Sequence, residues 1–319
     1  MRPAQVLITG ADGFVGRALV HGFVQLGWQV IALDLEPSDP LSTAEPGVPT
    51  QNSVNLQAER LVRWVRADLS AGVPDNLPRA DLVIHAAWVT TSPEQLGVSD
   101  LAYMRLNLDP LEAVVRHAAE CRPDAFVFLS SSGVFQHGDA THSLLDSHTP
   151  SATHPYAVAK RAAEQLVPTA LNKHTRVHVV RLGYLFGPDE CLRPSRRALS
   201  PVAEWIAAAR AGEPLVVRTD NPQRDWTYTP DLVPALVRLV DGGTLPGPMH
   251  LTSGHVCRDQ TLAAEVAAAA GGVPIVSIRP SAPLKPPMAP SQVAALEGFS
   301  WTEPRVGLGH LLAGLRGAA

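Results

Sequence analysis

The sequence predicts an α/β protein, a doubly wound parallel sheet with a smaller C-terminal lobe, and three observations carry that prediction. Short apolar runs recur at 5–9, 29–33, 63–67, 82–85, 125–130 and 177–182. They lack the polar alternation of a half-exposed strand, as expected for strands covered on both faces. Helical patterns at 15–26, 101–120 and 155–172 lie between them, supplying the crossovers that parallel neighbours require. Beyond Gly187 the rhythm stops, and 188–200 is crowded with arginines and prolines that no single regular element accommodates.

The chain of 319 residues is 45% apolar, enough for a sizeable core, and its net charge of −4 leaves no basic footprint for nucleic acid. No apolar run approaches the roughly 18 residues of a membrane span. Residues 6–8 read directly into a strand with no signal pattern, and Cys121, Cys191 and Cys257 have neither metal nor redox spacing. The expectation is a soluble cytoplasmic enzyme without a metal, a nucleic-acid partner or a membrane anchor.

The first strand, QVLIT, runs into GADGFVG and a helix. Gly10 allows a tight turn, Gly13 lets backbone amides approach a pyrophosphate, and Gly16 lets the helix pack closely on the strand. Phe14 and Val15, at the mouth of the helix, belong to the same set of expected cofactor contacts. The second strand ends at Asp34. A carboxylate there accepts hydrogen bonds from ribose hydroxyls and repels a 2′-phosphate, so NAD is expected rather than NADP. Arg17 either meets phosphate or faces solvent. Residues 36–57, rich in Pro, Ser, Thr and Asn, read as a long mobile loop.

The third and fourth strands run into ADL (67–69) and AAW (86–88), and the fifth ends in three serines, Ser130, Ser131 and Ser132. The helix that follows opens with HPYAVAK, which places Tyr156 and Lys160 one turn apart on one face. Four tyrosines and three lysines placed at random would give this spacing only about 0.04 times. A free phenol has a pKa near 10, too high for a base at neutral pH, and a nearby ammonium favours the phenolate. Four histidines at His137, His142, His148 and His154 have no ligand spacing and read as loop residues.

These residues, with RLGYLFGP at 181–188 and QRDWTYTPD at 223–231, resemble the extended short-chain dehydrogenases/reductases, the NAD-dependent epimerase/dehydratase family. The resemblance runs over nearly the whole chain and implies a Rossmann-type fold. It makes Tyr156 the general acid/base at a hydroxyl carbon, assisted by Lys160, which also holds the nicotinamide ribose. Matching Val134-Phe135 to the family's Val-Tyr selects Ser131 to orient the substrate oxygen, with Ser132 next and beside the substrate. Asp68 and Leu69 would lie by the adenine, and Ala86 and Ala87 by the nicotinamide. Asn107 is either structural or a proton relay. Tyr184 and Arg224 are expected substrate contacts, Arg224 matching a phosphate-binding arginine, with a salt bridge to Asp225 or Asp231 as its other reading.

Residues 1–182 are expected to form the cofactor domain, with segments at about 214–250 returning to it. Residues 183–319 would mainly form the substrate lobe, with helices at 202–211, 231–239 and 260–270 and a strand at 214–218. The cluster Arg193, Arg196 and Arg197 either meets phosphate or carboxylate or is a solvated loop. Ser132-Gly133 stands where the nucleotide-sugar dehydratases have Asp-Glu, so water removal is not expected. Phe135 removes a hydroxyl near the sugar. The expected activity is hydride transfer at a hydroxyl or keto carbon of a sugar or nucleotide-sugar-like substrate, epimerase-type. Its alternatives are a simple dehydrogenase of a smaller sugar, sugar acid or alcohol, and a non-catalytic NAD binder. A homodimer through helices 101–120 and 155–172 is also expected.

Overall fold

The computed structural model describes residues 4–37, 60–171, 173–245 and 247–313. The predicted loop at 36–57 falls almost wholly outside these residues. The first half alternates β1 (Gln5–Thr9), α1 (Phe14–Gln25), β2 (Gln29–Asp34), β3 (Val62–Arg66), β4 (Leu82–His85), α2 (Pro93–Leu96), α3 (Asp100–Cys121), β5 (Ala125–Ser131), α4 (Pro155–Leu171) and β6 (Arg176–Leu182). The second half adds β7 (Tyr184–Phe186), α5 (Pro201–Arg210), β8 (Leu215–Arg218), β9 (Gln223–Tyr228), α6 (Leu232–Asp241), β10 (Met249–Leu251), β11 (Val256–Arg258), α7 (Asp259–Ala269), β12 (Ile275–Ile278) and α8 (Pro304–Leu312).

Seven parallel strands form the main sheet, in the order β10-β6-β5-β4-β1-β2-β3. The pleat sends alternate residues to opposite faces. Val6, Ile8, Val30 and Ala32 meet Leu19 and Phe23 of α1 and Leu232 and Leu236 of α6. Leu7, Ile31 and Leu33 face the other layer, where Leu111 and Val114 of α3 and Val167 of α4 cover Phe126 and Phe128. Each of the Val, Leu, Ile and Phe side chains among them contributes roughly 1.5–3 kcal/mol on burial. Apolar character on both faces is why these strands read as unbroken runs.

The C-terminal lobe has its own core around Trp205, Trp226, Phe186, Leu262 and Leu308. It contains a three-stranded sheet, β11-β9-β7, and a two-stranded one, β12-β8. The segment 214–250 divides: α6 and the start of β10 lie on the main sheet, whereas β8 pairs with β12. The 214–218 strand therefore belongs to the lobe. The short strands β7, β9, β10 and β11 escape sequence patterning because each is fixed by a distant partner rather than by its own periodicity.

The order β4-β1 places two strands side by side that are connected to opposite parts of the chain. At such a reversal the loops after the strands part and leave a crevice at their C-terminal ends.

Candidate active site

That crevice is a cavity of about 710 Å³. Its floor is the loop between β1 and α1. Gly10 has φ +65°, and a Cβ there would lie 2.6 Å from the Ala87 backbone; a Cβ on Gly16 would lie 2.0 Å from the Gly10 carbonyl. Neither position admits a side chain. Helix α1 starts after Gly13 with no side-chain cap, so the amides of its first turn face the cavity without a chain partner of that kind, an arrangement that suits an anion. Asp34 accepts from the amides of Asp12 (3.0 Å) and Glu36 (3.3 Å), which aims its carboxylate at the end of the loop. Asp68 caps its own turn through Ser70 Oγ (2.6 Å) and N (2.9 Å), and these bonds hold its carboxyl below the usual range. Loop, acid and cavity fit a dinucleotide.

Arg17 turns to Asp12, its Nε donating to Oδ1 at 3.0 Å and its Nη2 standing 2.9 Å from the same atom. Asp12 is fully buried and also pairs with Arg193, which reaches it from the far lobe.

The reactive wall is formed by β5 and α4. Ser131 Oγ accepts from the Gly133 amide at 3.0 Å and lines the cavity with Ser132 and Tyr156. Ser130 borders the same cavity, but its hydroxyl is committed to Glu164, to which it donates at 2.7 Å. Glu164 also takes a two-pronged bond from Arg181, at 2.8 and 2.7 Å, in a fully buried triad beneath the site. The three serines all border the cavity and differ in their partners, Ser130 bonding to Glu164 and Ser131 to the Gly133 amide. A Cβ on Gly133 would come within 2.8 Å of the Tyr156 ring and 3.2 Å of Ser131 Oγ. The glycine thus does more than leave out a dehydratase acid: it makes room for the phenol.

Lys160 is buried, donates to the Leu129 carbonyl at 2.6 Å and lies 3.8 Å from the centre of the Trp88 ring. Burial drives its pKa well below the usual lysine value, with Glu164 opposing. Burial also raises the Tyr156 phenol, while the Ser131 hydroxyl and the Arg196 cation pull it back. Lys160 Nζ sits 6.0 Å from the Tyr156 ring centre, and Arg196 adds a second positive charge to the phenol's surroundings. His154, predicted as a loop residue, lines the same cavity and lies nearly parallel to the Tyr156 ring, 6.0 Å away. Asn107 is buried and tied to the Val89 amide (2.7 Å) and the Tyr103 carbonyl (3.2 Å), which pins the segment after β4 to α3.

The opposite wall comes from the lobe. Tyr184 lines the cavity, its ring between Lys285 (4.3 Å) and Arg224 (4.6 Å), and Lys285 donates to its hydroxyl at 3.2 Å. Arg224 stands behind Tyr184 and outside the cavity lining. Both prongs of its fork go to buried Asp259, at 2.7 and 2.8 Å, rather than to Asp225 or Asp231. Asp225 is buried beside Thr252 (3.1 Å), and burial raises its pKa to about 6. Lys285 also borders a second cavity of about 550 Å³, lined by His137, His142, Asp220 and Gln223.

Gly10, Gly13, Phe14, Val15 and Gly16 thus share one cavity with Ala86, Ser131, Ser132, Tyr156, Lys160 and Tyr184. Asp34, Asp68, Leu69, Ala87 and Arg224 lie outside its lining. Glu164, Asp12, Asp259 and Lys285 were not found from sequence. Glu164 had a signal, since Tyr156, Lys160 and Glu164 repeat every four residues along α4. Asp259 and Lys285 act through partners far away in the chain, and Asp12 joins nearby Arg17 to distant Arg193.

The sequence profile of the NAD dependent epimerase/dehydratase family matches residues 6–248. The chain belongs to this family. It is an NAD-dependent enzyme of the extended short-chain type. A dTDP-4-dehydro-6-deoxy-D-allose reductase of Streptomyces bikiniensis is 27% identical over 301 residues, covering 88% of this chain and 86% of its own length. An uncharacterised UDP-glucose epimerase of Bacillus subtilis is 23% identical, over 74% of this chain and 72% of its own length. Among solved structures, MoeE5 in complex with UDP-glucuronic acid and NAD superposes with a TM-score of 0.76 at 23% identity, covering 99% and 100% of the two chains. The fold of that structure is therefore shared across 99% of this chain, lobe included. Among the described residues, no helix is long and apolar enough to cross a membrane.

Proposed function

We propose that the enzyme moves a hydride between NAD and a hydroxyl or keto carbon of a nucleotide-linked sugar, in the manner of an epimerase. One observation supports this reading above the rest. The reactive wall of Ser131, Tyr156 and Lys160 shares its cavity with the glycine loop, and Lys285 joins that cavity to a second polar one. Two adjoining cavities suit a substrate in two parts, a sugar in the first and its nucleotide in the second. The relatives named above act on, or were solved with, dTDP- and UDP-linked sugars.

NAD, held by the amides of the glycine loop and by Asp34, supplies the hydride acceptor. Tyr156 takes the proton from the substrate hydroxyl. Its phenol, raised by burial, is protonated at rest and needs added positive charge to act as a base. Ser131 holds the substrate oxygen beside it. Lys160, fixed on Leu129 and Trp88, orients the nicotinamide ribose and faces the phenol. Ser132 and Tyr184 bound the sugar, and Arg224 holds the Tyr184 ring from behind. Ser132-Gly133 places no acid or base for water removal, which favours epimerisation over dehydration. In this reading residues 1–182 with α6 and β10 carry the cofactor and the lobe presents the substrate. The protein works in the cytoplasm as a homodimer formed by α3 and α4. On α3, Leu101 and Leu106 remain exposed, whereas Ala113 and Val114 are used by the core.

A second reading, simple oxidation of a smaller sugar or sugar acid, is favoured by Arg224, whose fork is committed to Asp259. Incubation with NAD and a panel of nucleotide sugars, free sugars and uronic acids separates the two. Interconversion of a nucleotide sugar without net NADH is the expected outcome. Stoichiometric NADH from a free sugar would establish the second reading and remove the first.

A further inference from the structure

The loop 189–200 crosses from the lobe to the cofactor half and is fastened at both ends of the cleft. On the β4 side, the Ser195 carbonyl accepts from the amides of Thr90 (2.8 Å) and Thr91 (3.1 Å), and Thr91 Oγ1 donates to Pro194 O at 2.9 Å. Arg197 donates to Gln95 O at 2.8 Å. On the α1 side, Arg193 pairs with buried Asp12, and the Arg196 guanidinium stacks on Phe14 at 5.4 Å. Glu190 pairs with Arg196 and accepts from Ser200 N at 2.7 Å, bracing the loop internally.

Two donors in this braced loop lack acceptors. The Nε–H groups of Arg193 and Arg196 are both buried and without a partner in the chain, and both side chains line the cavity together with Gly13, Phe14 and Val15. Buried donors are almost always satisfied, and those of a guanidinium suit phosphate oxygens. Each arginine has one edge neutralised by a carboxylate and keeps another for an anion. Their direct partners across the cleft, Asp12 and Phe14, belong to the glycine loop, although the charge of Arg196 also reaches Tyr156.

We propose that Arg193 and Arg196 form the outer jaw of the cofactor's diphosphate site, opposite the glycine-loop amides, so that loop 189–200 straps bound NAD in place. This rests on NAD being the cofactor. It assigns the two arginines to the dinucleotide rather than to a substrate phosphate. It also requires the Arg193–Asp12 link to open for cofactor exchange, which suits an enzyme that keeps its NAD between turnovers.

The test compares NAD, ADP and adenosine binding to the full-length protein by calorimetry, with NAD release followed by stopped flow. Arg193→Ala and Arg196→Ala are each expected to weaken NAD and ADP by about tenfold and to speed NAD release by a similar factor. Adenosine, which lacks the diphosphate, should bind as it does to the parent. Unchanged NAD and ADP affinities would overturn the proposal. So would an equal loss for adenosine, which would place the defect in the fold. If the alanine variants do not fold, Arg193→Gln and Arg196→Gln carry the same comparison with the same outcomes. A parent protein that binds neither NAD nor ADP would remove the cofactor reading together with the proposal.

Discussion

On one side of the cleft the wall is made of backbone. Gly10 and Gly16 leave no room for a side chain, α1 presents uncapped amides, and the strands behind them are apolar on both faces. On the other side it is made of charge. Lys285, Tyr184, Arg224 and Asp259 stack in sequence, with buried Asp225 alongside. The backbone wall offers amides and open space, which suit any dinucleotide. The charged wall rests on individual side chains. The cost is that each of its buried ions depends on a partner.

The largest expected difference between the walls follows from that dependence. Asp259→Ala leaves Arg224 buried without its carboxylate, and should destabilise the protein by about 3–5 kcal/mol. Denaturant unfolding measures this, and a change below about 1 kcal/mol would mean that water or Tyr184 satisfies the guanidinium unaided. Where the protein stays folded, NAD binding should survive, because the sheet half has its own core.

The next effect lies in chemistry rather than stability. Tyr156→Phe should lower the turnover rate by at least about two orders of magnitude, with NAD affinity unchanged. Full activity in that variant would exclude Tyr156 as the acid/base.

The third prediction is narrower and separates the walls by pH. Asp225 has its pKa raised from 3.8 to about 6. The folded state therefore holds the extra proton, and the stability this gives is lost as pH rises from about 4 through 6. His85, in the sheet half, is lowered from 6.5 to about 3. There the unfolded state binds the proton, and stability is lost as pH falls below 6.5. Denaturation of Asp225→Asn against the parent between pH 4 and 7 should show a gap that opens in favour of the variant up to pH 6 and then stays level. His85→Gln should instead lessen the loss below pH 6.5. A constant gap in either case would mean that the group does not titrate on unfolding as its burial implies.

Legibility follows the same division. The main strands at 5–9, 82–85 and 125–130 were readable because a strand covered on both faces must be apolar throughout. The glycine loop was readable because sterics restrict its positions to one residue type. Ser131 was selected over Ser130 by family likeness. In the structure the two differ in their partners, Ser130 being committed to Glu164 and Ser131 to the Gly133 amide. His154 reads as an ordinary loop residue when grouped with the other three histidines, although it stands two residues before Tyr156 and its ring lies 6.0 Å from the phenol ring. Lys160 was expected beside the phenol from its spacing; that Leu129 and Trp88 fix it there, and that Arg196 adds a second positive charge nearby, depends on distant residues.

By itself, the sequence determined the strand-and-helix alternation of a parallel sheet, the dinucleotide loop and the spacing of Tyr156 from Lys160, since each is read from residues close together in the chain. Tertiary structure alone decided that Arg224 faces Asp259 rather than a ligand, that Arg193 crosses the cleft to Asp12, and that Lys285 stands over Tyr184. These pairs lie 35, 181 and 101 positions apart. The energy of a charge depends on what surrounds it once the chain has folded, and no local pattern encodes which distant residue that will be.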